Sequence, residues 1–296
     1  MSGSIGANRI QRRCVKPTID KFTELVLNQF NGFITSNITG SYNTGIKKDH
    51  GDIDLAIFIN SDNDIKIIKK EFQEYLNSLE DNIIVPFKFG KNIGKKSQLY
   101  GNIVTCQFPI VGQENENVQI DNVIVKSKDE LRFITEFLNL DAAKQALCIA
   151  LVRVIKNPLI YIHQFNIKDF PELKENQEYE FVLSTNSLQL RIVTLNEERK
   201  QINKQIIWKS YNWDYVLKLL EDFNDADYQL DIYKSSYQEL LEYLCKYYNK
   251  YPNDRAKIRI KGIINSMINI GVGEIGTEKG NNKQASIDLV NKLFNI

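Results

Sequence analysis

The sequence predicts an α+β chain: a small mixed β-sheet with flanking helices, followed by a mainly helical domain with an inserted β-hairpin. Three observations predict it. Up to residue 125, short apolar stretches recur between glycine-, asparagine- and lysine-rich turns, interrupted by two helical patterns. From Ser127 the apolar period becomes helical almost throughout. The length of 296 residues, with 43% hydrophobic and 25% charged content, suffices for two cores. The boundary falls between a helix opening at Ser127 and the next one, giving domains 1–137 and 138–296.

Taken in order, Pro17 suits the first turn of a helix in which Ile19, Phe22, Leu25, Val26 and Phe30 recur, closed by Asn31-Gly32. Residues 33–39 and 52–60 read as neighbouring strands, the second apolar on both faces beyond Asp54 and therefore central. Ser61 and Asp62 offer caps for a helix carrying Ile65, Ile68, Phe72, Tyr75 and Leu76, ending near Asn82. Extended segments follow at 83–87, 103–108 and 118–125, with a lysine- and glycine-rich loop at 88–96. Ser127 and Glu130 form a capping box, and a helix over 141–157 stops at Pro158. A hairpin pairs Tyr179, Phe181 and Leu183 with Leu188, Leu190 and Ile192; helices are expected at 213–223, 236–249, 254–270 and 283–294.

Charge and cysteine usage narrow the function classes. Lys and Arg total 38 against 37 Asp and Glu, so no global basic field marks the chain as a polyanion binder, and any such ligand needs a local patch. Cys14, Cys106, Cys148 and Cys245 are scattered, and the only histidines are His50 and His163, which argues against structural zinc and a disulfide framework. No apolar stretch reaches membrane-span length, and none follows the basic amino terminus; the expectation is a cytoplasmic protein without a membrane partner.

Residues 39–58 carry the readable chemistry. Gly40-Ser41, a second glycine at Gly45, and a polar loop lead to Asp52-Ile53-Asp54 entering an apolar strand. Carboxylates at i, i+2 on a strand share a face, where they repel and raise one another's pKa unless a cation lies between them. Magnesium suits this chemistry, since it takes a few carboxylates together with substrate phosphates. Gly40 and Ser41 would let backbone and hydroxyl approach those phosphates. Asp121, an acid on the apolar run 118–125 and out of phase with Val118 and Ile120, is the candidate third carboxylate of a two-metal site.

Gly40-Ser41, Asp52-Ile53-Asp54 and the later Asp121 resemble the signature of the DNA polymerase β-like nucleotidyltransferase superfamily, which includes poly(A) polymerases, CCA-adding enzymes, aminoglycoside nucleotidyltransferases and oligoadenylate or cyclic-dinucleotide synthases. The resemblance implies two Mg²⁺ ions on Asp52 and Asp54, with Asp121 on the catalytic ion and assisting deprotonation. It implies an NTP, expected to be ATP, positioned by Gly40 and Ser41, and transfer of its NMP to an acceptor hydroxyl with release of pyrophosphate. An RNA 3′ end is the first expected acceptor; a protein, a small molecule or a second nucleotide would use the same acids. The reading of another class is a non-catalytic binding or structural module on the same fold.

Several members place an arginine between the two glycines to clamp the triphosphate, where this chain has Tyr42, Asn43 and Thr44. Lys47 and Lys144 are nominated as nucleotide-binding residues in its place, with Lys48, Lys91, Lys95, Lys96 and Arg153 as further sources of the required cation. His50 is assigned no chemistry. Trp208, Tyr211 and Trp213 are either base-stacking groups or core, and Arg255, Lys257, Arg259 and Lys261 are either a nucleic-acid edge or a solvated helix face. Gly271, Gly273 and Gly276 match a dinucleotide fingerprint by letter but follow a helical run, so that reading is rejected.

Overall fold

A computed structural model describes residues 7–43, 48–88, 93–101, 103–140, 142–153, 155, 157–168, 170–198, 200–221, 231–234 and 239. The chain divides into two compact units, 1–139 and 140–296. The first contains β1 (Ile10–Gln11), α1 (Arg12–Leu25), β2 (Phe33–Thr39), β3 (Asp49–His50), β4 (Asp52–Ile59) and α2 (Ile65–Ser78). It continues through β5 (Ser97–Tyr100), β6 (Ile103–Pro109), β7 (Asn117–Val125) and α3 (Lys128–Asn139).

Five of these strands form one mixed sheet in the order β2-β4-β7-β6-β5. β4 and β7 run parallel at its centre, and the other pairs are antiparallel. Strand alternation sends Ile53, Leu55, Ile57 and Ile59 of β4 and Val118, Ile120 and Ile124 of β7 to one face, where they form the larger core with Val15, Phe22, Ile68, Phe72 and Leu76 of α1 and α2. The opposite face is divided. Ala56, Val123 and Val125 pack beneath Leu131 and Ile134 of α3, and the same face becomes polar toward the start of β4. Nearly all the apolar burial therefore lies on the side of the sheet away from the acids.

Local chemistry accounts for the helix ends, with corrections to the sequence reading. α1 begins five residues before Pro17, so Pro17 lies inside it, and Cys14, Val15 and Thr18 are buried on its inner face. Tertiary burial of that face overrides the proline signal. The cap of α2 is Asp64, which accepts from the Lys66 amide at 2.7 Å, whereas Ser61 accepts from the Asn63 amide and shapes the preceding turn. α3 opens as expected at Ser127, whose Oγ accepts from the Glu130 amide at 3.1 Å; Glu130 reaches back to the amide of Lys126 rather than that of Ser127.

The described part of the second unit contains α4 (Ala142–Arg153), α5 (Pro158–Gln164), β8 (Gln177–Ser184), β9 (Ser187–Leu195), β10 (Gln201–Ser210) and α6 (Trp213–Leu220). Pro158, read as a stop, also starts a helix, because the missing amide is harmless at a first helical position. The expected hairpin is present as β8 and β9, but a third strand, β10, extends it on the β9 side. β10 escaped sequence reading because register shifts at 201/203 and 206/208 break its period-two pattern. The helices expected at 236–249, 254–270 and 283–294 lie outside the described residues, as do Arg255, Lys257, Arg259, Lys261 and the glycines at 271–276.

Pro17 removes one amide from the α1 ladder at an exposed position. Pro17→Ala is expected to stabilise the chain by about 1–3 kcal/mol, read as a higher urea midpoint at unchanged slope.

Candidate active site

The parallel register of β4 and β7 sets Asp54 directly beside Asp121 and Asp52 beside Gln119. Partners in register share a face, so Asp52, Asp54, Asp121 and Gln119 all project to the side away from α1 and α2. Two polar rows result. One crosses all five strands as Thr39, Asp54, Asp121, Thr105 and Gln98; the other runs Asp52, Gln119, Gln107. Asp52 and Asp54 are half-buried, while Asp121 is 8% exposed.

Asp121 is held by donors. Thr105 Oγ1 donates to its Oδ1 at 2.7 Å, and Gln119 Nε2 donates to Oδ1 and Oδ2 at 3.0 and 3.1 Å. Burial pushes its carboxyl above the usual carboxylate range; the bonds from Thr105 and Gln119 pull it down, and the charge of Asp52 pushes it up again. The Gln119 Oε1 on the other prong of the same amide is buried without a partner. Thr105, Gln98, Gln107 and Gln119 escaped sequence reading. Gln119 could have been found from its i−2 spacing to Asp121, but the others require the register.

The Gly-Ser turn is fitted against this face. Residues Gly40–Tyr42 form a single 3-10 turn after β2. Gly40 has φ +73°, and a Cβ there would lie 3.1 Å from Asp54 Cγ and 3.3 Å from its Cβ. Both the left-handed backbone and the close approach require glycine. Asn43 Nδ2 donates to the Ile38 carbonyl at 2.6 Å and to Asn139 Oδ1 at 2.7 Å, tying the turn to the end of α3. Behind it, the Arg12 guanidinium lies 4.6 Å from the Tyr42 ring centroid.

Ser41 contributes its backbone to the turn, and Lys47 and Lys91 lie outside the described residues. Lys144 belongs to the second unit, where Nζ donates to the Tyr233 carbonyl at 2.9 Å. Lys96 is committed to the Leu79 carbonyl and Asp81, whereas Lys48, Lys95 and Arg153 are exposed. His50 is buried on β3 opposite Ile10, with its ring 5.8 Å from Tyr42. Trp213 is core, its Nε1 donating to Tyr233 Oη at 2.7 Å; Trp208 packs with Phe165 and Tyr215, and Tyr211 lies under Lys209. Cys14, Cys106 and Cys148 are buried, and burial raises the Cys106 thiol to about 12.

Among the described residues, no three His, Cys, Asp or Glu side chains converge closely enough to grip an ion as they stand. The donor chemistry nevertheless fits a hard cation: three carboxylates on one face, with a glycine backbone rather than a side chain beside Asp54.

Two expectations follow from this geometry. Gly40→Ala should destabilise the chain by about 1–3 kcal/mol through strain and the clash with Asp54, measured by urea unfolding. Asp121, with its folded pKa raised above the unfolded value, binds its proton more tightly when folded, so stability falls as pH rises from the ordinary carboxylate range through the raised value. In chelator at pH 7, Asp121→Asn should therefore raise the urea midpoint, because Gln119 can turn its orphaned oxygen toward the new amide.

No family model and no curated protein matches this chain. Among solved structures it is similar to the ternary P/T complex of Leishmania infantum polymerase beta, at 13% identity over 63% of this chain, with a TM-score of 0.38. The chain spans 59% of that polymerase. It is also similar to the Cid1 poly(U) polymerase bound to Mg 3′-dATP, at 14% identity over 74% of this chain and 69% of that one, with a TM-score of 0.30. The complex of Cid1 with the UTP analogue UMPNPP aligns at 13% identity over 80% and 66%, again with a TM-score of 0.30.

Proposed function

We propose that the chain is a magnesium-dependent nucleotidyltransferase that moves an NMP from an NTP, expected to be ATP, to an acceptor hydroxyl. One observation carries the reading: the β4/β7 register gathers Asp52, Asp54 and Asp121 on the polar part of one sheet face, with Gly40 against Asp54. A fold with no use for charge there would not hold three carboxylates on one buried-to-half-buried surface.

In this reading Asp52, Asp54 and Asp121 would hold two Mg²⁺ ions, which when bound supply charge neutralisation for the triphosphate and acidify the acceptor hydroxyl. Backbone amides of the Gly40-Ser41 turn orient the phosphates. The acceptor oxygen bonds to the α-phosphorus, the bond from that phosphorus to the oxygen bridging the β-phosphate breaks, and pyrophosphate leaves with the bonding electrons. Asp121 receives the hydroxyl proton. Residues 1–137 form the catalytic domain and 138–296 the second domain. Lys47 and Lys144 are the proposed cations for the triphosphate. An RNA 3′ end is the first acceptor, and a protein, a small molecule or a second nucleotide would meet the same acids.

A non-catalytic module is the second reading. It is favoured by the absence, among the described residues, of three acidic, histidine or cysteine side chains already converged on an ion position. One experiment separates the two. The full chain is incubated with Mg²⁺, each labelled NTP in turn and a pool of small RNAs. The enzyme reading expects label transfer and pyrophosphate release that fall at least about 10²-fold in Asp54→Asn. Absence of NTP binding in the presence of Mg²⁺ would sink it.

A further inference from the structure

The two polar rows extend past the acids. Beyond Asp121 the sheet continues through Thr105 to Gln98, and beyond Asp52 through Gln119 to Gln107. Three glutamines and a threonine thus stand on the face that carries the acids, on the β7-β6-β5 side, next to the apolar patch under α3. All four are buried: Gln98 at 8%, Thr105 at 3%, Gln107 at 1% and Gln119 at 4% exposure. Buried amides on a sheet face are costly unless hydrogen-bonded, and each carries both a donor and an acceptor. The α1 and α2 face of the same strands is mainly apolar, with Ser97 and Asn122 as its buried polar residues.

Gln119 is the informative member. Its Nε2 is committed to both oxygens of Asp121, which fixes the amide with Oε1 on the other prong. That oxygen is buried without a partner. An unsatisfied carbonyl oxygen takes a donor, and a donor bound to it would sit within one amide's width of the carboxylate that receives the acceptor's proton.

Resting on the nucleotidyltransferase reading, we propose that Gln119, with Gln107 and Gln98 behind it, floors the acceptor subsite, and that this subsite takes a ribose cis-diol. One hydroxyl attacks beside Asp121 while its vicinal neighbour donates to Gln119 Oε1. A ribose diol occurs both at an RNA 3′ end and in a free nucleotide. Gln119 is then a specificity-determining residue that separates ribose from deoxyribose acceptors, since only the ribose offers the second donor.

The test uses the full chain with Mg²⁺, a labelled NTP and four acceptors: an oligoribonucleotide, the same oligonucleotide ending in a 2′-deoxynucleotide, a free nucleoside monophosphate, and its 2′-deoxy form. The wild-type chain is expected to favour the ribose member of a pair by about tenfold in kcat/KM, the worth of one hydrogen bond. The pair used faster identifies the source of the diol. In Gln119→Met the preference should fall close to unity, read as the ratio of kcat/KM within each acceptor pair, in which any change in metal or NTP binding through Asp121 cancels. Equal use of ribose and deoxyribose by the wild type overturns the proposal without any variant, as does a preference that survives in a folded Gln119→Met. If NTP binds and pyrophosphate forms but none of the four acceptors is labelled, the subsite assignment fails and the transferase reading stands. If NTP does not bind, both fail.

Discussion

The adjacency of Asp54 and Asp121 on two parallel strands is the constraint on which the rest of the first unit depends. Parallel pairing in that register is needed to bring a carboxylate from β4 beside one from β7, and a one-residue slip would turn either acid into the apolar core. The register is secured from the far face, where isoleucines, leucines and valines of the same strands meet α1 and α2. Hydrophobic burial thus sets the positions of groups that repel each other on the opposite surface.

Electrostatics on that surface are balanced locally. Burial and the charge of Asp52 favour a protonated Asp121, and hydrogen bonds from Thr105 and Gln119 favour the anion. Each unit of pKa displacement corresponds to about 1.4 kcal/mol, a sizeable fraction of a domain's total stability of about 5–15 kcal/mol. Gly40 follows the same logic: its left-handed backbone gives up helix and strand propensity to let the main chain lie against Asp54.

Much of this was readable from residues alone, because it rests on short-range periodicity. Alternation placed Asp52 and Asp54 on one face and turned Asp121 away from Val118 and Ile120, and the capping chemistry at Ser127 marked α3. What escaped depends on information that sequence spacing does not hold. Thr105 and Gln98 join the acids only through inter-strand register. α1 extends through Pro17 because buried residues upstream outweigh a local breaker, and β10 lost its alternation to two bulges. Trp213 looked available for stacking, yet its indole N–H is spent on Tyr233 within the core of the second unit. Sequence alone did not reveal that Lys96 was already committed to the Leu79 carbonyl and Asp81.

The two faces of the central sheet answer to different pressures. The isoleucines and phenylalanines under α1 and α2 keep the chain folded, and none of the three acids is among them. A lineage could exchange Asp52, Asp54 and Asp121 for neutral residues and inherit the same architecture intact, even a firmer one. Descent would then preserve the shape while the chemistry lapsed, so a silent cousin of this chain would be recognised by neutral residues at the three acid positions of β4 and β7 and not by its outline.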